Sequence, residues 1–366
     1  MNFNSIIKPF RYLCSADFAF DRSHLWWRVM GKIPGMRLLL RRRYIPKKNH
    51  LGRDVFGIHF ASPVGLAAGY DRDGKLIDTM GDIGFGFVEV GSITPHAQLN
   101  TIHPSIFKLK GDHAILYRSE TESEGVEQVI RNIKRRQSRT VVGCNLLKSV
   151  LTPADEAPKD YLRMFRSLYQ WADYFTINLC DNTTAHPYIP TEREEILRIL
   201  NPLFEFRRGQ NNYIPILMKI SPDLSDEQID LMCDIMIETP LDGIVACGGS
   251  ITRQNIEASA TQLHKLGRSA GIISGAPLRE RALEVVRRIY RRSQGYYPII
   301  GCGGISTAED VHNMLEAGAS LVQIGSEFLY GKASSLRVMT QELEHQFQLL
   351  NEADQAPSRP QHPTND

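Results

Sequence analysis

Eight short apolar runs alternate with amphipathic segments between residues 63 and 324, and this alternation restricts the folds open to the chain. Apolar runs of this length are typical of strands buried on both faces of a parallel sheet. The strand candidates are Pro63–Ala68, Phe85–Gly91, Thr140–Asn145, Tyr174–Leu179, Pro215–Ile220, Asp242–Cys247, Pro298–Cys302 and Ser320–Ile324. The helix candidates are Gly74–Met80, Glu124–Arg136, Pro158–Trp171, Glu192–Phe206, Ser225–Ile237, Leu278–Arg292, Ala308–Ala317 and a final helix through about Gln348. Eight such units predict an α/β fold, a (βα)8 TIM barrel.

An open, doubly wound sheet is the alternative fold, but the GxGxxG turn that usually follows its first strand is missing. The segment from Leu51 to Ser62 predicts a small hairpin in front of the barrel. We therefore place the barrel at residues 49–350. The polar, proline-bearing tail at 351–366 is expected to be disordered.

Residues 1–48 interleave large apolar side chains with basic ones, and Leu38-Leu39-Leu40 runs directly into Arg41-Arg42-Arg43. The pattern predicts an N-terminal cap of one or two short amphipathic helices. Two interpretations remain open for this cap. Its residues 1–45 contact a membrane interface through a basic-rimmed apolar face, or the helices only pack on the core of the domain.

The composition is that of an ordinary globular protein, with 42% hydrophobic and 23% charged residues among 366. A formal net charge of +2 does not indicate a nucleic-acid partner. No apolar run approaches the roughly 20 residues of a membrane-spanning helix. The six cysteines lack paired CxxC spacing and no signal peptide precedes them. We expect a reduced compartment, with the protein in the cytoplasm or peripherally on the cytoplasmic side of a membrane.

Two glycine turns follow the last two predicted strands, Gly303-Gly304 after the seventh and Gly325-Ser326 after the eighth. Glycine serves left-handed turns in many proteins without any ligand. In (βα)8 barrels, however, these two turns commonly hold phosphate through their backbone N–H groups. The sequence therefore indicates a phosphate site at this edge.

Polar side chains stand at the ends of three otherwise apolar strands, namely Asn145, Asn178 and Lys219. The two amides donate and accept hydrogen bonds, which suits a planar heterocycle. Burying Lys219 without an anionic partner is costly. A flavin, which becomes anionic when reduced, supplies such a partner.

Four cysteines lie at or near strand ends. Strand alternation directs Cys144 outward, and we interpret Cys144 and Cys302 as small apolar packing residues. Cys180 and Cys247 are expected at the mouth, either as packing residues or as a reactive thiol beside a flavin. No metal site is expected, because histidines at ligand spacing are missing.

Several motifs together resemble one family. They are ASPVGLAAGYDRDG, IDTMGDIGFGFVEVGSITP, IPILMKISPDLSDEQ, LDGIVA, ISGAPL, YPIIGCGGIS, EAGASLVQIGSEFLY and the N-terminal FDRSH with His24. On these stretches, residues from about 51 to 335 resemble the quinone-linked, membrane-associated dihydroorotate dehydrogenases. The resemblance implies a barrel with FMN at its carboxyl face. It also implies oxidation of dihydroorotate to orotate in pyrimidine biosynthesis, with a membrane quinone as electron acceptor.

Matching positions with this family implies a set of FMN contacts. Cys247 stands where the family has a threonine beside the flavin, and Gly325 where it has a tyrosine before the phosphate-binding hydroxyl residue. The other contacts fall on Ala68, Gly69, Ser92, Asn145, Asn178, Lys219, Gly275, Gly303, Gly304 and Ser326.

The positions that the resemblance assigns to substrate and base are more strongly altered. Asp181 takes the place of the catalytic base, which is serine or cysteine in the family, and Cys180 precedes it. The substrate contacts would be Arg72, Tyr117, Asn178 and Asn182, the last after a one-residue deletion behind Asp181. Arg72 replaces a lysine and Tyr117 replaces an asparagine of the family.

Further replacements affect the substrate loop and the quinone side. Glu120 and Glu122 follow Tyr117, and acidic groups beside the carboxylate of dihydroorotate should repel it. Gly248 replaces another asparagine of the family, and Ser105 replaces an arginine on the quinone side.

The sequence leaves three functions open. The first is an FMN-dependent oxidoreductase in which Asp181 or Cys180 accepts the proton. Its substrate is dihydroorotate by resemblance, whereas the altered loop favours a less anionic ring. The second is a diverged paralogue that binds FMN, or nothing, and has a binding or regulatory role. The third is a phosphate-binding barrel of another chemistry, such as an isomerase, which Lys219 and the asparagines argue against.

Overall fold

The computed structural model describes residues 16–46, 50–100, 104–118, 121–180, 188–253, 255–257, 271–330 and 333–354. Its first elements are two helices, α1 (Ala16–Met30) and α2 (Met36–Tyr44), in the segment where the sequence predicted amphipathic helices. Each helix directs one large side chain into the core, Trp27 from α1 and Leu40 from α2.

Polar contacts also dock these two helices on the rest of the protein. Asp17 in the first turn of α1 accepts a hydrogen bond from the backbone N–H of Ser105 at 3.0 Å. Arg37 and Arg41 of α2 both bind the buried carboxylate of Asp82, each at 2.5 Å. The inner face of the cap is therefore packed on the barrel, whatever its outer face contacts.

Eight parallel strands form a closed barrel, which confirms the predicted TIM barrel and excludes the open sheet. The strands of the chain are β1 (Arg53–Val55), β2 (Ile58–Phe60), β3 (Val64–Leu66), β4 (Phe87–Ile93), β5 (Ile106–Leu109), β6 (Ala114–Tyr117), β7 (Val141–Leu146), β8 (Tyr174–Asn178), β9 (Ile216–Ile220), β10 (Gly243–Ala246), β11 (Ile272–Gly275), β12 (Ile299–Cys302) and β13 (Leu321–Ile324). The barrel order is β10-β12-β13-β3-β4-β7-β8-β9, and β10 pairs with β9 to close it. All eight strands were predicted, with ends within about two residues.

Helices connect the strands and cover the outside of the barrel, as the amphipathic segments predicted. They are α3 (Ile77–Asp82), α4 (Val126–Ile133), α5 (Ala157–Leu168), α6 (Arg193–Arg208), α7 (Asp226–Glu238), α8 (Arg279–Arg292), α9 (Ala308–Glu316), α10 (Ser326–Tyr330) and α11 (Ala333–Asp354). Capping boxes formed by Ser225 with Gln228 and by Thr307 with Asp310 begin α7 and α9. Because α11 extends to Asp354, it enters the segment that was expected to be disordered; residues 355–366 lie outside the described part of the chain.

The amino end of the barrel is closed by an aromatic plug. Phe87 at the start of β4 lies edge-on to Phe60, with ring centroids 5.3 Å apart, and its centroid is 6.3 Å from that of Tyr174. Phe60 belongs to the β1–β2 hairpin, which confirms the hairpin predicted before the barrel. A β-carbon at Gly65 would lie 2.3 Å from the Phe87 ring, so the ring occupies the space that glycine leaves.

A three-stranded antiparallel sheet, in the order β11-β6-β5, was not predicted. The pairing of Ile272 with Tyr117 joins segments about 155 residues apart, which no local sequence pattern reveals. Tyr117 is consequently the last residue of strand β6, whereas the sequence placed it in a loop. This sheet forms one wall above the carboxyl end of the barrel.

None of the helices within the described ranges has both the length and the apolar character needed to cross a membrane.

We expect Phe87→Ala to lower the free energy of unfolding by about 3–5 kcal/mol, because it removes a fully buried ring and leaves a cavity in the plug. Urea unfolding followed by circular dichroism measures the change. Tyr296→Ala, at an 81% exposed position, serves as the control and should change stability by less than about 0.5 kcal/mol. Equal losses in both variants would contradict the plug.

Candidate active site

A cavity opens at the carboxyl ends of the barrel strands, between the antiparallel sheet and α1. Ala67 and Ala68 follow β3, Phe20 of α1 and Leu329 of α10 close one side, and Ile272 belongs to the sheet wall. Fourteen of the sequence-predicted site residues line this cavity: Ala68, Gly69, Arg72, Ser92, Tyr117, Asn178, Cys180, Lys219, Cys247, Gly275, Gly303, Gly304, Gly325 and Ser326. The fold therefore brings most of the predicted site to one place, and the roles of these residues remain predictions.

The glycine turns after β12 adopt backbone conformations that side chains disfavour. Gly303 has φ +128° and Gly304 has φ +70°, both in the left-handed region. A β-carbon at Gly304 would also lie 2.7 Å from the backbone of Arg279. Glycine is thus required here for close packing as well as for the turn. The result is a stretch of backbone without side chains that lines the cavity.

A chain of side-chain hydrogen bonds forms the floor of the cavity. Asn178 donates from Nδ2 to Ser92 Oγ at 3.1 Å and to Asn145 Oδ1 at 3.2 Å, and Ser92 Oγ donates to Asn145 Oδ1 at 2.8 Å. Asn145 is fully buried and is not among the residues that line the cavity. The structure therefore places Asn145 behind Ser92 and Asn178, where it orients both side chains, and its contact with FMN stays a prediction.

Below the floor lies a fully buried carboxylate, Glu89 on β4, which the sequence analysis did not identify. The sequence feature that could have revealed Glu89 is the acidic residue inside the otherwise apolar run FVEVG. Burial and the Glu89 carboxylate raise the pKa of Tyr174 well above its ordinary value, so this hydroxyl remains a donor. The donors to Glu89 are Asn145 Nδ2 at 2.7 Å, Thr176 Oγ1 at 3.0 Å, Tyr174 OH at 3.1 Å and Gln323 Nε2 at 2.6 Å.

Lys219 lines the cavity with only 6% of its surface exposed. Burial lowers the pKa of its ammonium group, but the Glu89 carboxylate opposes this effect, and the net pKa is raised. This direction of the shift favours the charged form of Lys219 at the cavity surface. The Glu89 carboxylate in the barrel interior thus contributes negative charge that the sequence analysis had assigned to a reduced flavin alone.

Three thiols surround this lysine. Cys180 donates from Sγ to the carbonyl of Lys219 at 3.2 Å, and Cys247 and Cys302 lie on the same cavity wall. The sequence interpretation of Cys302 as a packing residue was incomplete, because it lines the cavity. Burial raises the pKa of Cys247 and of Cys302, so both are neutral thiols at ordinary pH. Cys144, in contrast, is packed in the core as predicted.

An ion pair stands at the mouth of the cavity. Arg72 donates from Nη1 to Glu122 Oε2 and from Nε to the carbonyl of Gly69 at 3.3 Å. Its guanidinium group lies over the rings of Phe20, at 5.3 Å, and Tyr117, at 5.5 Å. Arg72 is thus held on several sides, and its charge is balanced before any ligand enters.

The predicted base and one substrate contact, Asp181 and Asn182, lie outside the described residues. Cys180, the alternative base, is described and reaches the cavity. Within the described residues, no group of three or more His, Cys, Asp or Glu side chains has the arrangement of a metal site.

His24 of α1 lies beside the mouth, with Nε2 4.0 Å from Oδ1 of the buried Asp71. Burial, together with the charges of Lys75 and Arg72, lowers the pKa of His24 from 6.5 to about 4. The ring is therefore neutral at physiological pH.

Fold and site define this chain as a (βα)8 barrel with an enzyme-like cavity at the carboxyl ends of its strands. The sequence profile of the dihydroorotate dehydrogenase family matches residues 50–347. A quinone dihydroorotate dehydrogenase of Christiangramia forsetii is 35% identical over 93% of this chain and 98% of its own. One from Corynebacterium striatum is 39% identical over 78% of this chain and 77% of its own. The crystal structure of ligand-free dihydroorotate dehydrogenase from Eimeria tenella superposes with a TM-score of 0.81 at 28% identity, covering 93% of this chain and 96% of that one.

The chain belongs to the dihydroorotate dehydrogenase family, within its quinone-linked class. Membership makes it an oxidoreductase that acts on a CH–CH bond and implies a flavin cofactor.

The depressed pKa of His24 predicts a specific acid sensitivity. Between pH 6.5 and about 4 the His24 ring is protonated in the unfolded chain but stays neutral in the folded protein. The free energy of unfolding therefore falls as the pH is lowered through this window. The contribution is about 2 kcal/mol. In His24→Asn this part of the pH dependence should disappear.

Urea unfolding of both proteins at pH 7 and pH 4.5 measures the difference. Other titrating groups, including Asp71, are common to the two proteins and cancel in the comparison. Identical pH slopes would show that His24 is not buried as a neutral ring.

Proposed function

We propose that this protein is an FMN-dependent oxidoreductase of the dihydroorotate dehydrogenase type, which oxidises a cyclic CH–CH substrate and passes the electrons to a quinone. The observation that carries the proposal is the meeting, in one cavity, of the glycine turns, the amide floor and the buried cation of Lys219. When bound, FMN supplies a hydride acceptor. The side chains of this protein bind it, exclude water around it and balance its charge.

The lining of the cavity fits such a cofactor. Gln323 donates to Glu89, which fixes its amide orientation, and its Oε1 has no hydrogen-bond partner among the described residues. A buried acceptor of this kind suits an N–H group of a ligand. A β-carbon at Gly69 would have no atom within 4 Å, and one at Gly325 would meet only Ala67 at 3.5 Å. Both glycines leave room along the edge where the ligand would lie.

Lys219 has the position and charge to stabilise negative charge that develops on a bound heterocycle. Asn178 and Ser92 present oxygen acceptors to the same space, in orientations set by Asn145. The proton released by the substrate is assigned to Asp181 or Cys180, as the family position implies. His24, neutral and next to the mouth, is assigned to the quinone side.

The two N-terminal helices support peripheral membrane contact, which would bring the protein to its quinone. Basic side chains rim their exposed apolar face, including Arg22, Arg28, Arg42 and Arg43. Apolar side chains beside a basic rim suit the interface of an anionic bilayer. The exposed apolar residues of the two helices are Phe18, Leu25, Trp26, Val29, Leu38 and Leu39.

Purified protein is expected to be yellow and to release FMN on denaturation. Lys219→Met should lower the rate of flavin reduction by the substrate on the order of 10²-fold, because it removes a preorganised charge from the site. Lys148→Met is the matched control. Lys148 is similarly buried, at 3%, but it does not line the cavity.

Flavin absorbance and anaerobic stopped-flow spectroscopy provide the measurements. Colourless protein that FMN does not reconstitute would contradict the proposal and favour the non-catalytic paralogue. If Lys219→Met and Lys148→Met lower the rate of flavin reduction equally, the proposed role of Lys219 is wrong.

The membrane contact predicts that Trp26→Ser combined with Leu39→Ser weakens binding to anionic liposomes at least tenfold. Each side chain is more than half exposed, and burying one contributes roughly 1.5–3 kcal/mol. Liposome co-sedimentation measures the binding. Leu151→Ser combined with Tyr296→Ser, exposed positions outside the two helices, is the control. If both pairs behave alike, the helices form only a structural cap.

A further inference from the structure

The charged side chains that line the cavity are, within the described chain, Arg72, Glu122 and Lys219. Two of them are paired with each other. Arg72 and Glu122 bind each other at the mouth, and Lys219 shares the barrel interior with Glu89. Among the described residues, the cation that a ligand meets at the mouth is therefore already paired with a carboxylate.

From this charge balance we propose that the reducing substrate is an uncharged polar ring, a 5,6-dihydropyrimidine without a carboxylate, and that Glu122 sets this preference by neutralising Arg72. The inference rests on the proposed function and names the substrate class of the same site. Oxidation converts the CH–CH bond of the ring into a double bond. One carbon gives its hydride to the flavin, and the neighbouring carbon gives a proton to the base.

The geometry of Arg72 explains why an anionic ring is disfavoured. The guanidinium group is held by Glu122 and the Gly69 carbonyl, and its faces pack on Phe20 and Tyr117. A substrate carboxylate that approaches this cation also approaches the carboxylate of Glu122. Two carboxylates that share one guanidinium group repel each other, whereas a neutral ring experiences no such repulsion.

The remaining polar lining suits the edge of a cyclic amide. Asn178, Ser92, Thr121 and Ser274 offer neutral donors and acceptors, which match ring N–H and C=O groups. On the facing wall, Gly248 and Gly249 carry no side chain, and a β-carbon at Gly248 would lie 3.6 Å from the thiol of Cys180. The described lining thus retains groups for recognising the ring, and its cation at the mouth, Arg72, is already paired with Glu122.

Glu122→Gln tests the proposal, because it keeps the shape of the side chain and removes its charge. The matched control is Glu124→Gln. Glu124 lies two residues further on, has the same 46% exposure and forms its own ion pair with Lys75 at 2.6 Å. It does not line the cavity.

Anaerobic flavin bleaching is measured for all three proteins with dihydroorotate and with 5,6-dihydrouracil. The wild-type protein should be reduced at least about tenfold more efficiently by dihydrouracil. Glu122→Gln should shift the ratio toward dihydroorotate by about tenfold or more, and Glu124→Gln should leave it unchanged. Titration of the flavin spectrum should show orotate binding strengthened in Glu122→Gln, with uracil binding unaltered.

Three outcomes overturn the inference. They are equal or faster bleaching of the wild-type protein by dihydroorotate, an unchanged ratio in Glu122→Gln, and failure of dihydrouracil to bleach a flavin that dithionite reduces. In the last case the yellow, dithionite-reducible protein still upholds the proposed flavoenzyme. Purified protein that binds no flavin, in contrast, would contradict the proposed function itself.

Discussion

The buried carboxylate of Glu89 is the constraint on which the interior of this barrel depends. A charge without solvent in the core is tolerated only when donors surround it. Four side chains on β7, β8 and β13 supply these donors, so one residue ties together strands from both halves of the barrel. The same network holds Asn145, which in turn orients Ser92 and Asn178 at the floor of the cavity.

Glu89 raises the pKa of Lys219 in the barrel interior, and a second pair of opposite charges lies at the mouth of the cavity. There the pair of Arg72 and Glu122 joins the end of the first barrel strand to the substrate loop. Glu89 and Lys219 are buried in the barrel interior, whereas Arg72 and Glu122 lie at the mouth of the cavity. The chain thus belongs to the family and pairs the cation at the mouth of its cavity with a carboxylate of its own.

Sequence patterns were sufficient to predict those features of the structure that depend only on residues close together in the chain. Apolar runs located the barrel strands because strands buried on both faces need continuous apolar sequence. Glycine pairs located the turns because few other residues adopt positive φ. The same reasoning missed the antiparallel sheet, the cavity position of Cys302 and the buried carboxylate of Glu89. These features depend on which distant segments meet and on small differences in side-chain direction.

The sequence by itself determined the barrel, its N-terminal helices and the residues that gather at the carboxyl ends of the strands, because hydrophobic periodicity and glycine turns act over a few residues. Only the tertiary structure decided which charges are paired. Glu89 meets its donors across the barrel interior, and Arg72 meets Glu122 fifty positions later in the chain. Pairing over such distances is set by the closure of the barrel, and it changes the pKa values of the buried groups.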